Sequence, residues 1–489
     1  MQVLDTPQQE VDAALERSQA AWTQWSGFTR ERRAEAMRAA AARLDAAADE
    51  LVPLAIAETH LGEPRLRSEL VRTTFQLRLL ADTISDGAYL DVRVDHAEPD
   101  WPMGPRPEIR RLRVPVGPVV VFAASNFPFA FSVAGGDSAA ALAAGCTVVL
   151  KAHPGHPRLS ARTGELVAEA LEQAGAPGGT FQVIFGEQAG VTALRHPLVK
   201  AAAFTGSLAG GRALYDIAAA RPEPIPFYGE LGSVNPVFVT PAADAARAGA
   251  IAEGLIGSFT LGAGQFCTKP GVVFAPAGSG LVEALRALEL PSAAPLLNDR
   301  ITQLYLRGER RLREHPSVEV LNEGDGALSD PPAPTVLLTT ADAVAADRES
   351  LLNECFGPTV LIVQYDSNEQ LLELAAGLDG QLTATLAAEA DEELARELAA
   401  ILITKAGRLL WNQWSTGVSV TYAQQHGGPY PATTAPGTTS VGTAAIDRFT
   451  RPVAFQGFPV ELLPTELGDE PVVSRLVDGR PQLAAEGGR

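Results

Sequence analysis

Short apolar runs that alternate with helical stretches set the tightest limit on what this chain can fold into. Val119 to Ala123 is followed by an Ala-rich helical pattern through Ala144, and then by Thr147 to Leu150. A helix near 158 to 174 leads to Phe181 to Phe185, a shorter helix to Ala201 to Phe204, and a further helix to Ala220. Strands apolar on both faces and separated by helices predict a parallel sheet covered on both sides. The alternation restarts with Val237 to Val239, a helix near 243 to 262, Gly271 to Phe274 and a helix near 281 to 288. It resumes with Thr359 to Val363, a helix near 368 to 376, Thr383 to Leu386, a helix near 391 to 401, and Arg408 to Asn412. Two consecutive Rossmann-like α/β domains follow, and 489 residues are too many for one ordinary core.

The remaining segments depart from that rhythm. Residues 8 to 86 read as helices with i, i+3, i+4 apolar spacing, as in Leu44, Leu51 and Leu54. The stretch 95 to 118 mixes prolines with Arg110, Arg111 and Arg113 and reads as a connector or an excursion from the domain body. Residues 320 to 335 read as a loop, and 426 to 445 as a Gly/Pro/Thr-rich tract with little regular structure. A formal charge of −19 disfavours nucleic acid and acidic membrane surfaces as partners. No apolar run reaches the ~18 residues a bilayer span needs, and the first residues do not form a secretory signal. Cys146, Cys267 and Cys355 have no disulfide or metal-ligand spacing, and the seven histidines none either, so a reducing cytoplasm and no metal are expected.

Ligands of open parallel sheets sit beyond the carboxyl ends of strands, so the residues there carry the functional reading. Ser125-Asn126-Phe127-Pro128 follows the first strand, Lys151 the second, and Thr205-Gly206-Ser207-Leu208-Ala209-Gly210-Gly211 opens a helix after Ala201 to Phe204. A helix start offers free N–H groups and a positive dipole end, both suited to a pyrophosphate. The order of glycines is not the GxGxxG of the usual dinucleotide fingerprint, so any nucleotide site is of another kind. Cys267 lies in Gly-Ala-Gly-Gln-Phe-Cys-Thr, where small residues leave backbone N–H groups free as oxyanion donors. The same cysteine alone is equally a packed, inert thiol. Glu230-Leu231-Gly232 supplies a carboxylate that could deprotonate a thiol or a water. Glu354-Cys355-Phe356-Gly357-Pro358 offers a carboxylate for ribose hydroxyls and a ring for a nicotinamide pocket, or simply a turn between elements. Cys355 and Cys146 read as structural.

Taken together, SNFP, VVLKAHP, FTGSLAGG at 204 to 211, ELGS at 230 to 233, GQFCT at 264 to 268 and ECFGP at 354 to 358 closely resemble the aldehyde dehydrogenase superfamily, in its order and over nearly the whole chain. The resemblance implies Cys267 as nucleophile, Glu230 as general base for deacylation, and Asn126 with the Cys267 N–H as oxyanion donors. It implies that Lys151 and Glu354 bind cofactor ribose hydroxyls, and that Ser125, Gly206, Ser207, Gly211 and Phe356 line the cofactor site. Its architecture implies a dinucleotide-binding domain over 1–94 and 118–232 and a catalytic domain over 233–430. Segments 95–117 and 452–470 would then form a bridging, oligomerisation arm for a homodimer or homotetramer. Where many members carry an acid that holds the adenosine 2′-hydroxyl, this chain has Pro154, which removes a repulsion and leaves Lys151 to pair with a phosphate. NADP is therefore expected, with NAD possible and Arg158 a candidate helper.

Longer stretches, among them SNFPFAFSVAGGDSAAALAAG and GGPYPATT, resemble 2-oxoglutarate semialdehyde (2,5-dioxopentanoate) dehydrogenases. That resemblance implies oxidation of 2,5-dioxopentanoate to 2-oxoglutarate in sugar-acid or hydroxyproline catabolism. Phe129, Phe266, Thr268 and Arg158 are the substrate-side candidates, with Thr433, Thr434 and Arg451 as further donors for a carboxylate. Phe127, Phe129, Phe131 and Phe266 would equally line a tunnel for aliphatic or fatty aldehydes. A cysteine thioesterase would use Cys267 and Glu230 but leave Lys151, the 204 to 211 loop and Glu354 without a purpose, and a binding protein would need none of the reacting groups.

Overall fold

The computed structural model describes residues 4–484. Its first sheet has five strands in the order Phe181–Ile184, Val148–Lys151, Val119–Phe122, Ala201–Thr205 and Phe227–Glu230, all parallel. The central strands are wholly buried because helices cover both faces, which is why their sequences are apolar without alternation. The Ala-rich helix Gly136–Ala144 is itself sunk in this core, so it has no polar face. The chain leaves Val119–Phe122 toward one edge of the sheet and returns to its other side at Ala201–Thr205. That reversal opens a crevice between the Ser125–Asn126 loop and the Gly206–Ser207 turn.

A second sheet of seven strands runs in the order Glu319–Glu323, Thr335–Thr340, Thr359–Tyr365, Val272–Pro276, Val237–Val239, Gln381–Ala387 and Ala406–Trp411. All its pairings are parallel except that of Glu319–Glu323 with Thr335–Thr340. The stretch 320 to 335 is therefore not simply a loop. Its first residues form an antiparallel edge strand, whose Asn322 amide donates to the carbonyls of Leu285 and Leu288. A helix, Asp299–Arg313, and the strand Thr335–Thr340 also lie between the helix near 281 to 288 and Thr359, where the sequence pattern shows no alternation. Polar residues on the edge strand and on the solvent face of the helix hid the pattern.

A third, smaller sheet stands apart from both. Ile109–Pro115 pairs antiparallel with Thr450–Gln456 and Arg93–Asp95, and Arg475–Val477 and Arg480–Gln482 extend it. A small core of Leu90, Val92, Leu112, Leu467 and Val473 holds it. Among the described residues, no helix is long and apolar enough to cross a membrane.

The cysteine loop and the Glu354 turn precede strands of the second sheet, whereas Glu230 and Asn126 follow strands of the first. The carboxyl edge of one sheet thus faces the amino edge of the other.

Candidate active site

Three backbone features fix the Cys267 loop. Gly262, Ala263 and Gly264 are consecutively left-handed, with φ of 58°, 54° and 69°. For Ala263 this is a strained conformation. A Cβ on Gly264 would lie 2.2 Å from the Gly357 carbonyl oxygen, so the cysteine loop and the Phe356-Gly357-Pro358 turn touch backbone to backbone. The Asn235 amide donates to the carbonyls of Cys267 (2.8 Å) and Lys269 (3.0 Å). Gln381 in turn accepts from the Val234 N–H and the Ser233 hydroxyl, which anchors the segment just after Glu230.

The Cys267 thiol lies half-buried at 3.6 Å from Nε2 of His426. The same nitrogen is 2.8 Å from Glu230 Oε1, and Ser440 Oγ donates to Glu230 Oε2 at 2.8 Å. Burial pushes the thiol well above its ordinary range, and the Glu230 charge and hydrogen bond push the same way. Burial alone would raise the Glu230 carboxyl too. The His426 imidazole and hydrogen bonds from His426, Ser440 and Cys267 outweigh it and hold Glu230 below the usual carboxylate range. At rest the proton therefore sits on sulfur while its acceptors stand in contact. Sulfur, imidazole nitrogen and carboxylate oxygen lie within 4.8 Å of one another, close enough to share a divalent cation.

Asn126, almost fully buried, spends one amide N–H on the Gln265 carbonyl at 3.1 Å and keeps a second donor. Its own carbonyl accepts from Arg65 Nη2 at 2.7 Å. The Cys267 N–H donates to no acceptor among the described residues. An anion formed at a carbon bonded to sulfur would find these two donors.

Across the crevice, Ser207 caps the helix Leu208–Ala219, its hydroxyl accepting from the Gly210 N–H. Gly206 to Ala209 are exposed, so the helix start is open to a ligand. A Cβ on Gly211 would meet the Leu231 side chain at 2.0 Å, and one on Gly206 the Phe204 ring at 2.6 Å. Lys151 is largely buried at its strand end, and that burial lowers its pKa. Ser125 is half-buried at the mouth of the first strand. The fit of a dinucleotide here rests on the open helix start and on glycines whose Cβ would collide with the strand beneath.

The sequence profile of the aldehyde dehydrogenase family matches residues 1–287, more than half of the chain. The chain belongs to the aldehyde dehydrogenase family. It is an NAD(P)-dependent enzyme whose substrate is an aldehyde. It is 45% identical over 466 residues to alpha-ketoglutaric semialdehyde dehydrogenase 2 of Azospirillum brasilense, covering 92% of this chain and 89% of that one. It is 42% identical over 483 residues to the alpha-ketoglutaric semialdehyde dehydrogenase of Acinetobacter baylyi, with 96% and 91% covered. An aldehyde dehydrogenase from Bacillus cereus, solved as an NAD+ complex, shares the fold with a TM-score of 0.75, at 22% identity over 93% of this chain and 89% of that one.

Within this aldehyde dehydrogenase, several residues expected at the substrate lie elsewhere. Phe129 is core, 1% exposed, with its N–H on Glu69. Thr268 is fully buried, and its hydroxyl accepts from the Gly417 N–H to hold a neighbouring loop. Arg158 is exposed and paired with Glu58 at 3.1 Å. Thr433 and Thr434 spend their hydroxyls on the Gly428 and Phe227 carbonyls, and Arg451 is exposed on the third sheet. Phe266 does stand at the cysteine, packed edge-on against Phe127 at 5.2 Å. Glu354 sits over Gly232, where a Cβ would be 2.8 Å from its Oε2. Its field reaches Cys267. Phe356 is half-buried in the turn that meets Gly264. Cys146 and Cys355 are buried, with pKa values raised to about 11 chiefly by burial.

Sequence reasoning missed His426, Ser440 and Asn235. His426 stands in a tract without regular structure, and no local signal sets it apart from the other histidines. Asn235 had a trace: an Asn before the strand Val237–Val239 tolerates the left-handed φ of 47° it adopts.

Proposed function

We propose that this chain oxidises 2,5-dioxopentanoate to 2-oxoglutarate with NADP, through covalent intermediates on Cys267. The observation that carries the mechanism is the contact of the Cys267 thiol with the His426–Glu230 pair. The substrate follows from the similarity to two alpha-ketoglutaric semialdehyde dehydrogenases over nearly the whole chain.

As the sulfur attacks the aldehyde carbon, its proton passes to the shared Nε2–carboxylate contact, and the oxyanion takes the Asn126 amide and the Cys267 N–H. A bound nicotinamide would supply the hydride acceptor that the oxidation of the thiohemiacetal to a thioester requires. Glu230 then takes a proton from water, whose oxygen attacks the thioester carbon. The proton first taken from sulfur has by then passed to solvent, so Glu230 is free to act as base. The carbon–sulfur bond breaks, the sulfur leaves as a thiolate and takes its proton back from Glu230, and the acid product ionises. His426 and Ser440 orient the carboxylate through both of its oxygens. Gly206, Ser207 and Gly211 would receive the pyrophosphate, and Lys151 and Glu354 the ribose hydroxyls.

The NADP preference rests on Pro154, which offers no carboxylate to a 2′-phosphate, and on a second cation. Arg300, exposed on the helix Asp299–Arg313 and paired with Glu187 at 3.1 Å, lies close enough for its charge to act on Lys151, and Arg158 is tied to Glu58. An oligomer built through the third sheet is supported by exposed Met103, Phe458 and Leu462, and by the open edge strand Ala406–Trp411. The cytoplasm suits a catalytic thiol without a disulfide partner.

A purified-enzyme panel tests the reading. 2,5-Dioxopentanoate, pentanal and decanal are each assayed with NADP and NAD, and kcat/KM should be highest for 2,5-dioxopentanoate with NADP. A higher value for decanal would replace it with the fatty-aldehyde reading that the Phe127–Phe266 aromatic wall otherwise favours.

A further inference from the structure

We propose that Arg72 is the residue that binds the carboxylate of the substrate, forming an anion subsite beside Cys267. The inference rests on the substrate reading above and deepens it.

The helix Glu63–Asp86 carries Arg65, Glu69 and Arg72 at i, i+4 and i+7, hence on one face. That face backs the loop holding Asn126. Glu69 is buried and accepts the N–H groups of Phe129 and Ala130 through Oε1, while Oε2 has no partner. Both arginines keep buried donors without a partner, Nε and Nη1 of Arg65 and Nη1 of Arg72, but they differ in what holds them. Arg65 is fixed in place: Nη2 donates to the Asn126 carbonyl at 2.7 Å, the guanidinium stacks against Phe127 and Phe266, and a Cβ on Gly262 would lie 2.5 Å from Nη1. Arg72 is held more loosely: among the described residues its one side-chain hydrogen bond is a long 3.4 Å contact from Nη2 to the Val418 carbonyl.

Arg72 also lies on the thiol side. Its guanidinium carbon sits 5.1 Å from the Phe131 ring centroid, that ring is 6.2 Å from His426, and His426 touches the thiol. The Arg72 charge acts directly on Cys267 and Glu230. A buried cation with unmet donors is costly to keep, and costs less where a ligand anion completes it. An arginine fork matches a carboxylate in two parallel hydrogen bonds. The charges of Glu230 and Glu354 both act on Cys267 and would repel an anionic substrate brought to it. In a chain of net charge −19, an acid substrate needs a local cation to offset that field.

The test compares 2,5-dioxopentanoate with pentanal, which has the same five carbons and no charge, in wild type and Arg72→Met. Glutarate serves as a competitive inhibitor of pentanal oxidation. The ratio of kcat/KM for the oxo acid to that for pentanal should fall about 100-fold in Arg72→Met, mainly through KM, the order expected for leaving a charged group unpaired. Arg72→Lys should recover part of the ratio, and it serves as the test should the methionine variant not fold. Glutarate should inhibit wild type and lose at least tenfold in Ki in Arg72→Met. A wild type that prefers the oxo acid while the ratio survives in Arg72→Met would overturn the subsite and leave the substrate reading intact. If wild type shows no such preference, yet glutarate inhibition depends on Arg72, the substrate reading falls and the subsite stands. Wild type insensitive to glutarate would overturn the subsite outright.

Discussion

The Gly206 turn, proposed above to hold the nucleotide, and the thiol side of the crevice are assembled over very different distances along the chain. Gly206, Ser207 and Gly211 sit within one strand-to-helix turn, and their geometry follows from a cap and from the strand beneath. On the thiol side, Cys267 meets His426 across 159 residues, and Glu230 meets His426 across 196 and Ser440 across 210. A helix start binds phosphate as soon as the turn forms. A thiol held neutral by burial and by a neighbouring carboxylate needs both sheets and the 426–440 tract in place at once. One side is local chemistry, the other a product of the whole fold.

If that contrast holds, changes on the thiol side should abolish chemistry while sparing nucleotide binding. The largest effect belongs to Cys267→Ala. Dehydrogenase turnover should drop by at least ~10^4-fold, with the affinity for NADPH, read by fluorescence titration, within about twofold of wild type. Equal losses in both would merge the two regions into one.

His426→Ala comes next, at about 10^2- to 10^3-fold in kcat. Its more telling signature is pH. The His426 imidazole is the largest of the influences that hold Glu230 low, and burial opposes it. Without the imidazole, burial acts with less opposition and the carboxyl pKa rises. The ionised form needed as base is then lost at higher pH, so the acid limb of the kcat profile should move upward. An unshifted limb would show that His426 does not act on Glu230.

The same contrast explains what the sequence made legible. Both parallel sheets could be read because burial on two faces leaves strands such as Val119–Phe122 and Thr359–Tyr365 uniformly apolar, and strand ends then point to Asn126, Lys151 and the Gly206 turn. The strand Glu319–Glu323 escaped because a half-exposed edge carries polar residues at three of its five positions, Glu319, Asn322 and Glu323. Phe129 and Thr268 looked like substrate contacts from their place beside Asn126 and Cys267. Neighbours along a loop point in opposite directions, and these two turn inward to the core. His426 and Arg72 lacked any local mark, since their role comes from what the fold places opposite them.

On the nucleotide side, Gly211→Ala should cost about 1–3 kcal/mol of stability, read by denaturant unfolding, because the new methyl overlaps the Leu231 side chain and the Phe204 ring. The helix start would shift with it, raising the cofactor KM about tenfold while kcat stays within twofold. A fall in kcat alone would mean that this turn serves the thiol rather than the cofactor.

Glu354 should give the smallest effect and the sharpest, because it stands between the two regions. Its carboxyl is pushed up to about 7, chiefly by burial, with the Lys269 charge and the Ser233 N–H opposing. Below that pH it carries a proton, and a protonated acid gives up the charge that strengthens its acceptance of ribose hydroxyl donors. Cofactor binding should therefore tighten as pH rises through about 7, by about five-fold in KM, the difference between a charged and a neutral acceptor. Glu354→Gln should flatten that dependence near the weaker, low-pH value. If the dependence persists in the glutamine variant, the titrating group lies elsewhere, and Glu354 belongs with Lys269 on the thiol side instead of with the ribose.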